Sequence, residues 1–481
     1  MKRLALTVML IVGLVPPAWA EVRTINVTGE YRMGDNDTRA DAKRMALQDA
    51  KRLALEQAGT YIESITEVKN FSLSKDEVQA YTAGIVEVTQ QTATSTMEGQ
   101  QQIVRVEVTC KIDTDIVMRQ IDALRKNETV KAELLKAKQE ADRLRKDLDD
   151  KTRELAAAMS KTEAETVAQT RRKILTGQDV NSLLERGWVA LAGPSKTLSH
   201  GSSSSEGRQR ARILTEQALA LDASNPKIYH LIGTLLLEEA DLERAIAAFH
   251  MAIRLNNDDA VSHKFLGGAL LVKGDVESAI AEFRTAIRLQ PDDATGHINL
   301  GVALRTKGDV EGAIAEYRTA IRLQPDDASA RNTLGAALDA KGDVEGAIAE
   351  YRTAIHLKPD YAEAHTNLGS ALRDRGDVEG AISEYSAAIR LTPGHANAHS
   401  GLGLALQDKG DLEGAIAEYR TVIRIEPDSA YPHYFLGLAL KAEGRRAEAV
   451  QEFHEYLKLA PDTPKYRHSN ERAQVFLREL E

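Results

Sequence analysis

His263, His297, His365, His399 and His433 recur in one column of a regular spacing, and imidazoles in register could in principle ligate a metal ion. Zinc needs nitrogens at about 2.0–2.1 Å, whereas equivalent helices of successive helical units lie on the order of 10 Å apart, so the column reads as packing. His454-Glu455-Tyr456-Leu457-Lys458 lacks the second histidine of a helical zinc site. The stretch from Gly187 to Thr197 ends Gly-Pro-Ser-Lys-Thr, without the Gly-Lys-Ser/Thr join of a phosphate loop. No Gly-x-Ser-x-Gly occurs, and carboxylates such as Asp292 and Asp293 read as solvated helix caps. The single Cys110 can form neither an intrachain disulfide nor a multi-thiolate metal site. The expectation is a chain with no metal, no cofactor and no enzymatic activity.

The elements that carry these residues are mainly helical. At 481 residues the chain exceeds one hydrophobic core, and 7 Phe, 13 Tyr and 2 Trp leave little for β-sandwich or barrel interiors. The net charge of −10, −12 without Lys2 and Arg3, argues against nucleic acid as a partner. Residues 1–20 have the three parts of a secretory signal: Met1-Lys2-Arg3, the uncharged run Leu4 to Val15, and Ala18-Trp19-Ala20 after Pro16-Pro17. That run is shorter than the ~20 apolar residues a bilayer span requires, so an exported, periplasmic protein with no membrane span after removal near Glu21 is expected.

Residues 21–122 read as a small α+β module. Strands are expected at 22–28, Thr60 to Lys69, Ile85 to Thr92 and Gln102 to Ile112. Helices are expected from Ala40 to Ala58, ended by Gly59, and from Lys75 to Tyr81. In the last strand Val104, Val106, Val108, Cys110 and Ile112 share the apolar face, making Cys110 a buried structural thiol. This order, with the segment DAKRMALQDAKRLALEQAGTYIES, resembles the N-terminal module of flagellar assembly protein T and related bacterial envelope proteins. The resemblance implies a bacterial periplasm.

Residues 123–175 form a charged helical stem without Pro or Gly up to Thr170. Asn127, Val130, Leu134, Ala137, Ala141, Leu144, Leu148, Lys151, Leu155 and Ala158 fall at alternating steps of three and four. Such a seam either pairs with a second copy, giving a homodimer, or belongs to a solvated helix braced by pairs such as Glu140 with Arg143 and Arg145 with Asp149.

The architecture is decided by a 34-residue period. Gly274, Gly308, Gly342, Gly376, Gly410 and Gly444 keep it, as do Leu-Gly pairs from Leu266-Gly267 to Leu436-Gly437, the alanines from Ala279 to Ala449, an aromatic four residues beyond each, and prolines from Pro291 to Pro461. Small Gly and Ala let two helices approach, the aromatic fills the gap to the next unit, Pro ends the second helix, and Asp275, Asp309, Asp343, Asp377 and Asp411 cap it. These columns identify the segment as a member of the tetratricopeptide repeat (TPR) family. Seven units fill 226–463, an eighth degenerate unit with a Ser-rich insertion occupies 178–225, and 464–481 closes the array as a capping helix. The fold class is mainly α: a TPR α-solenoid, a right-handed superhelix of helix-turn-helix units, preceded by the α+β domain and a long coiled-coil-like helix.

Second helices are near copies, whereas first helices differ, so variety falls where a partner would be chosen. The family resemblance implies that the inner wall comes mostly from first helices and holds an extended peptide. Reading that wall gives Asn299, Arg305, Asn332, Asp339, Asn367, Arg373, Asn397 and Gln407 as a polar middle, with Phe265 and Leu271 at one apolar end and Tyr431, Tyr434, Phe435 and Leu438 at the other. Asn299 and Asn367 resemble the asparagine ladder of O-linked GlcNAc transferase, interrupted at Thr333 and Gly401; the two-carboxylate clamp of chaperone-binding relatives is not evident. The expected function is a periplasmic scaffold or adaptor binding another envelope protein or peptide. Its rivals are a substrate-recruiting arm of a separate enzyme, such as a glycosyltransferase, or of an assembly or secretion complex, and an enzyme within residues 21–122.

Overall fold

The alternation at Val104 to Ile112 builds the middle strand of a small sheet. The computed structural model describes residues 22–35, 37–68, 74–85, 88–125, 127–157, 161–192, 205–461 and 463–480. The signal over 1–20 and the Ser-rich insertion over 193–204 lie outside them. Strands β1 (Val22–Arg32), β2 (Val88–Glu98) and β3 (Gln101–Asp113) pair antiparallel in the order β1-β3-β2. Val104, Val106, Val108, Cys110 and Ile112 are buried with Ile25 and Val27 of β1. Helix α1 (Arg39–Val68) covers this face with Ala42, Ala46, Ala50, Ala54, Ala58 and Ile62, every fourth residue and all buried. The approach is close: a Cβ on Gly29 would stand 2.2 Å from the Ala46 carbonyl oxygen.

Two sequence expectations are corrected here. Gly59 does not end α1, and the strand expected from Thr60 is helix as far as Val68. The four-residue apolar step runs on to Ile62, whose burial outweighs the roughly 1 kcal/mol cost of a mid-helix glycine. Helix α2 (Lys75–Ile85) then takes the start of the next expected strand, which begins instead at Val88, so the sheet has three strands.

The stem is also different. Helices α3 (Thr114–Arg125), α4 (Glu128–Ala157) and α5 (Lys161–Ala192) replace one long helix, and α4 packs alongside α5. The seam residues Val130, Leu134, Ala137, Leu148 and Leu155 are therefore buried against their own chain, Leu155 on Ala164 and Ala168. Asn181 of α5 donates to the Ala137 carbonyl at 2.9 Å. Helix α5 is zipped to α1 and its approach. Arg171, 1% exposed, pairs with Asp37 and donates to the Tyr31 hydroxyl; Arg172 pairs with Asp41; Asp179 pairs with Arg44 and Lys51. Helix α5 then runs unbroken through Gly177 into the degenerate unit, whose second helix α6 (Ser205–Leu221) packs on it. One apolar core extends from Ile25 to Leu235.

Seven helix pairs follow at the predicted starts: α7 (Pro226–Glu238) and α8 (Leu242–Leu255), α9 (Ala260–Lys273) and α10 (Val276–Leu289), α11 (Ala294–Lys307) and α12 (Val310–Leu323), α13 (Ala328–Lys341) and α14 (Val344–Leu357), α15 (Ala362–Asp374) and α16 (Val378–Leu391), α17 (Ala396–Lys409) and α18 (Leu412–Ile425), α19 (Ala430–Ala442) and α20 (Arg446–Leu459). The chain divides into two compact units, one ending at Phe265 and one beginning at Leu266. Six of the seven pairs turn at a glycine in the left-handed region, with φ of 93° at Gly308 and 88° at Gly342, and the first turns at Ala240 with φ of 59°. The following Asp accepts a backbone N–H three residues on, as Asp309 does from Gly312 at 2.9 Å. Helix α21 (Pro464–Leu480) starts 34 residues after Ala430 and so stands in the frame of a further first helix.

Candidate functional site

The site is built on first helices held in fixed positions by two columns. The aromatic of each second helix fills the notch left by the first-helix glycine: a Cβ on Gly335 would meet the Tyr351 ring at 2.6 Å, and one on Gly301 the Tyr317 ring at 2.5 Å. The histidine column supplies the other brace. His297 places Nδ1 2.6 Å from Glu316 Oε2 and Nε2 3.2 Å from the Pro291 carbonyl. His365 and His399 repeat both bonds with Glu384 and Pro359, and with Glu418 and Pro393; His433 reaches Glu452. Arg331, paired with Glu350 at 3.0 Å, performs the same task in its unit. The column joins first helix to second helix and to the preceding loop.

With their outer sides so fixed, α11, α13, α15 and α17 lie next to one another and present a continuous face. Of the residues predicted for it, Arg305 and Asn397 are exposed, and Asn299, Asp339, Asn367, Arg373 and Gln407 are half-buried. Asn332 is 3% exposed, its Oδ1 accepting from Asn367 Nδ2 at 3.0 Å, so these two asparagines satisfy each other. Arg373 Nε donates to Asp408 Oδ2 at 2.6 Å, and Gln407 accepts from the Tyr419 hydroxyl at 3.3 Å. Asp339 is held above the usual carboxylate range by burial and by Asp374. Tyr434 and Tyr431 do not form an open apolar end. Tyr434 is buried against Phe435, Phe453 and Tyr456, and Tyr431 stacks on Tyr466 of α21 at 4.9 Å. The closing helix covers that end.

Sequence reading missed Asp374 and Asp408. The signal was available: two side-chain bonds between neighbouring first helices, Asn332–Asn367 and Arg373–Asp408, both join residues 35 apart, one more than the period.

A second concave place lies in the N-terminal unit, where α1, α4 and α5 enclose a cavity of about 480 Å³. Glu185, 6% exposed, lines it beside Asn181, which donates to its Oε1 at 3.1 Å. Burial pushes the Glu185 carboxyl up to about 8, so it is mostly neutral near pH 7. Cys110 is at the wall, and burial pushes its thiol up, away from the reactive thiolate.

Profiles of the tetratricopeptide repeat match residues 230–294, 266–328, 298–362, 332–396 and 366–430, and a further profile of the same repeat matches 406–469. The chain belongs to the tetratricopeptide repeat family. As a TPR protein it is a protein–protein interaction scaffold whose partners are proteins or peptides. Among solved structures it is similar to MamA, at 32% identity over 33% of this chain and 94% of that one, TM-score 0.31. It is also similar to YrrB, a TPR protein with an unusual peptide-binding site, at 24% identity over 38% and 95%, TM-score 0.32. Pseudomonas aeruginosa pilF shares 20% identity over 44% and 97%, TM-score 0.39. No curated protein matches the chain. No helix among the described residues is long and apolar enough to cross a membrane.

Proposed function

We propose that the protein is an exported, periplasmic adaptor without enzymatic activity, which holds an extended segment of another envelope protein across the first helices of its TPR array. The observation carrying this reading is the division of labour within each unit. Second helices repeat nearly the same sequence and bury their aromatics against the first-helix glycines, while first helices vary and keep Arg305 and Asn397 exposed. Invariant bracing with variable display suits a surface that selects its ligand. The Met1–Ala20 pattern supports export.

The test is a photo-crosslinking side chain placed at Asn397 or Asn299 in the full chain, with the exposed Arg318 of a second helix as control. Capture of one protein from intact cells by the first two and not the third is the expected result. Equal capture from both helices refutes the assignment, and so does unchanged capture after charge reversal of Arg305 and Arg373.

A further inference from the structure

One geometric slot is repeated along the first-helix face and filled differently each time. It joins the twelfth residue of one unit to the thirteenth of the next, 35 residues on. At Arg373 and Asp408 the slot is a closed ion pair, 2.6 Å from Nε to Oδ2. Gln407 has Ala442 at the matching position of the next unit and accepts from Tyr419 instead. Lys441 is closed by α21, lying 4.0 Å above the Phe476 ring and 2.6 Å from Glu479. Leu271 and Thr306 make an uncharged slot, and the two charged slots that remain are not neutralised. Arg305 has Ala340 at the matching position of the next unit, and its exposed guanidinium has no hydrogen bond or ion pair among the described residues. Asp339 meets Asp374, and the two carboxylates repel.

The Arg305 slot differs from its neighbours in a second respect. The aromatic hydroxyls beneath this column are used elsewhere: Tyr419 donates to Gln407, and Tyr385 bonds Ser370. The Tyr317 hydroxyl, in the unit of Arg305, is wholly buried and has no hydrogen-bond partner among the described residues.

We infer that the segment bound on this face is an extended peptide carrying an acidic side chain against Arg305 and a basic one, three residues away, against Asp339 and Asp374. The spacing follows from neighbouring helix axes about 10 Å apart and a rise of about 3.3 Å per extended residue. Opposite charges placed at these slots cancel an open cation and relieve an acid pair, and the reversed peptide would meet like charge at both. The inference rests on the peptide-adaptor reading and adds the charge pattern to it.

The probe is a random twelve-residue peptide library displayed on phage and selected on the full mature chain. Enriched sequences are expected to share Asp or Glu three positions from Lys or Arg. A synthetic peptide of that consensus should bind Arg305→Glu at least tenfold more weakly, and the charge-exchanged peptide should prefer the double variant Arg305→Glu, Asp339→Lys. Helix content by circular dichroism checks that the variants fold. Enrichment without the charge pair, or binding unaffected by Arg305→Glu, overturns the inference and leaves the adaptor reading standing. No enrichment on the wild-type chain overturns both.

Discussion

Two buried titratable residues in the N-terminal unit give its stability opposite pH slopes. Glu185 is raised by burial, so the folded state retains a proton that the unfolded state gives up above about pH 4.5, and stability is lost as pH rises from there towards about 8. His230 is lowered by burial among Trp188, Phe249 and Phe265, so stability is full above the ordinary imidazole value of 6.5 and is lost as pH falls below it. Glu185→Gln removes the first slope and keeps the hydrogen-bonding shape. Thermal melting above pH 8 should rise by about 5 °C or more over wild type, with no gain below pH 4.5. Equal shifts at both ends would mean that packing, and not the charge, had changed.

At the scale of the element, the same small residues that let helices approach make them intolerant of growth. Gly335→Val would drive side-chain carbon into a space where the Tyr351 ring already stands 2.6 Å from a bare Cβ position. A loss of roughly 1–3 kcal/mol is expected, read as a lower urea midpoint for the array with the N-terminal unit unaffected. Helix α4 offers a contrasting case. Its apolar seam is spent on α5, so sedimentation of the full chain at high concentration should report a monomer, and Leu134→Asp should unfold the hairpin without changing that mass. A wild-type dimer dissociated by Leu134→Asp would mean that the seam pairs two copies.

For the whole molecule, stability comes from neighbours covering neighbours, and both ends of such an array must be finished. The C-terminal finish is α21, which takes the frame of another first helix and lays Tyr466 and Phe476 over the last unit. Truncation after Pro461 should expose Tyr431, Phe435 and Phe453, destabilise the α19–α20 pair first, and increase binding of a dye for apolar surface; an unchanged melt would show α21 to be dispensable. The repeat, its turns, its capping aspartates and its closing helix were legible in the sequence because each depends on residues at most one period apart, through local backbone geometry and short-range packing. The variable first-helix face was legible for the same reason. What tertiary structure alone decided were long-range choices: that α1 continues past Gly59 because a sheet waits beneath Ile62, that the charged stem folds back on itself, and that Arg171 reaches across 134 residues to Asp37. It also decided which groove residues remain free, since Asn332, Arg373 and Tyr434 have identical neighbours in sequence whether or not a facing helix satisfies them. Periodicity fixes the positions that face outward, but only the apposition of two helices determines whether a charge there is already neutralised.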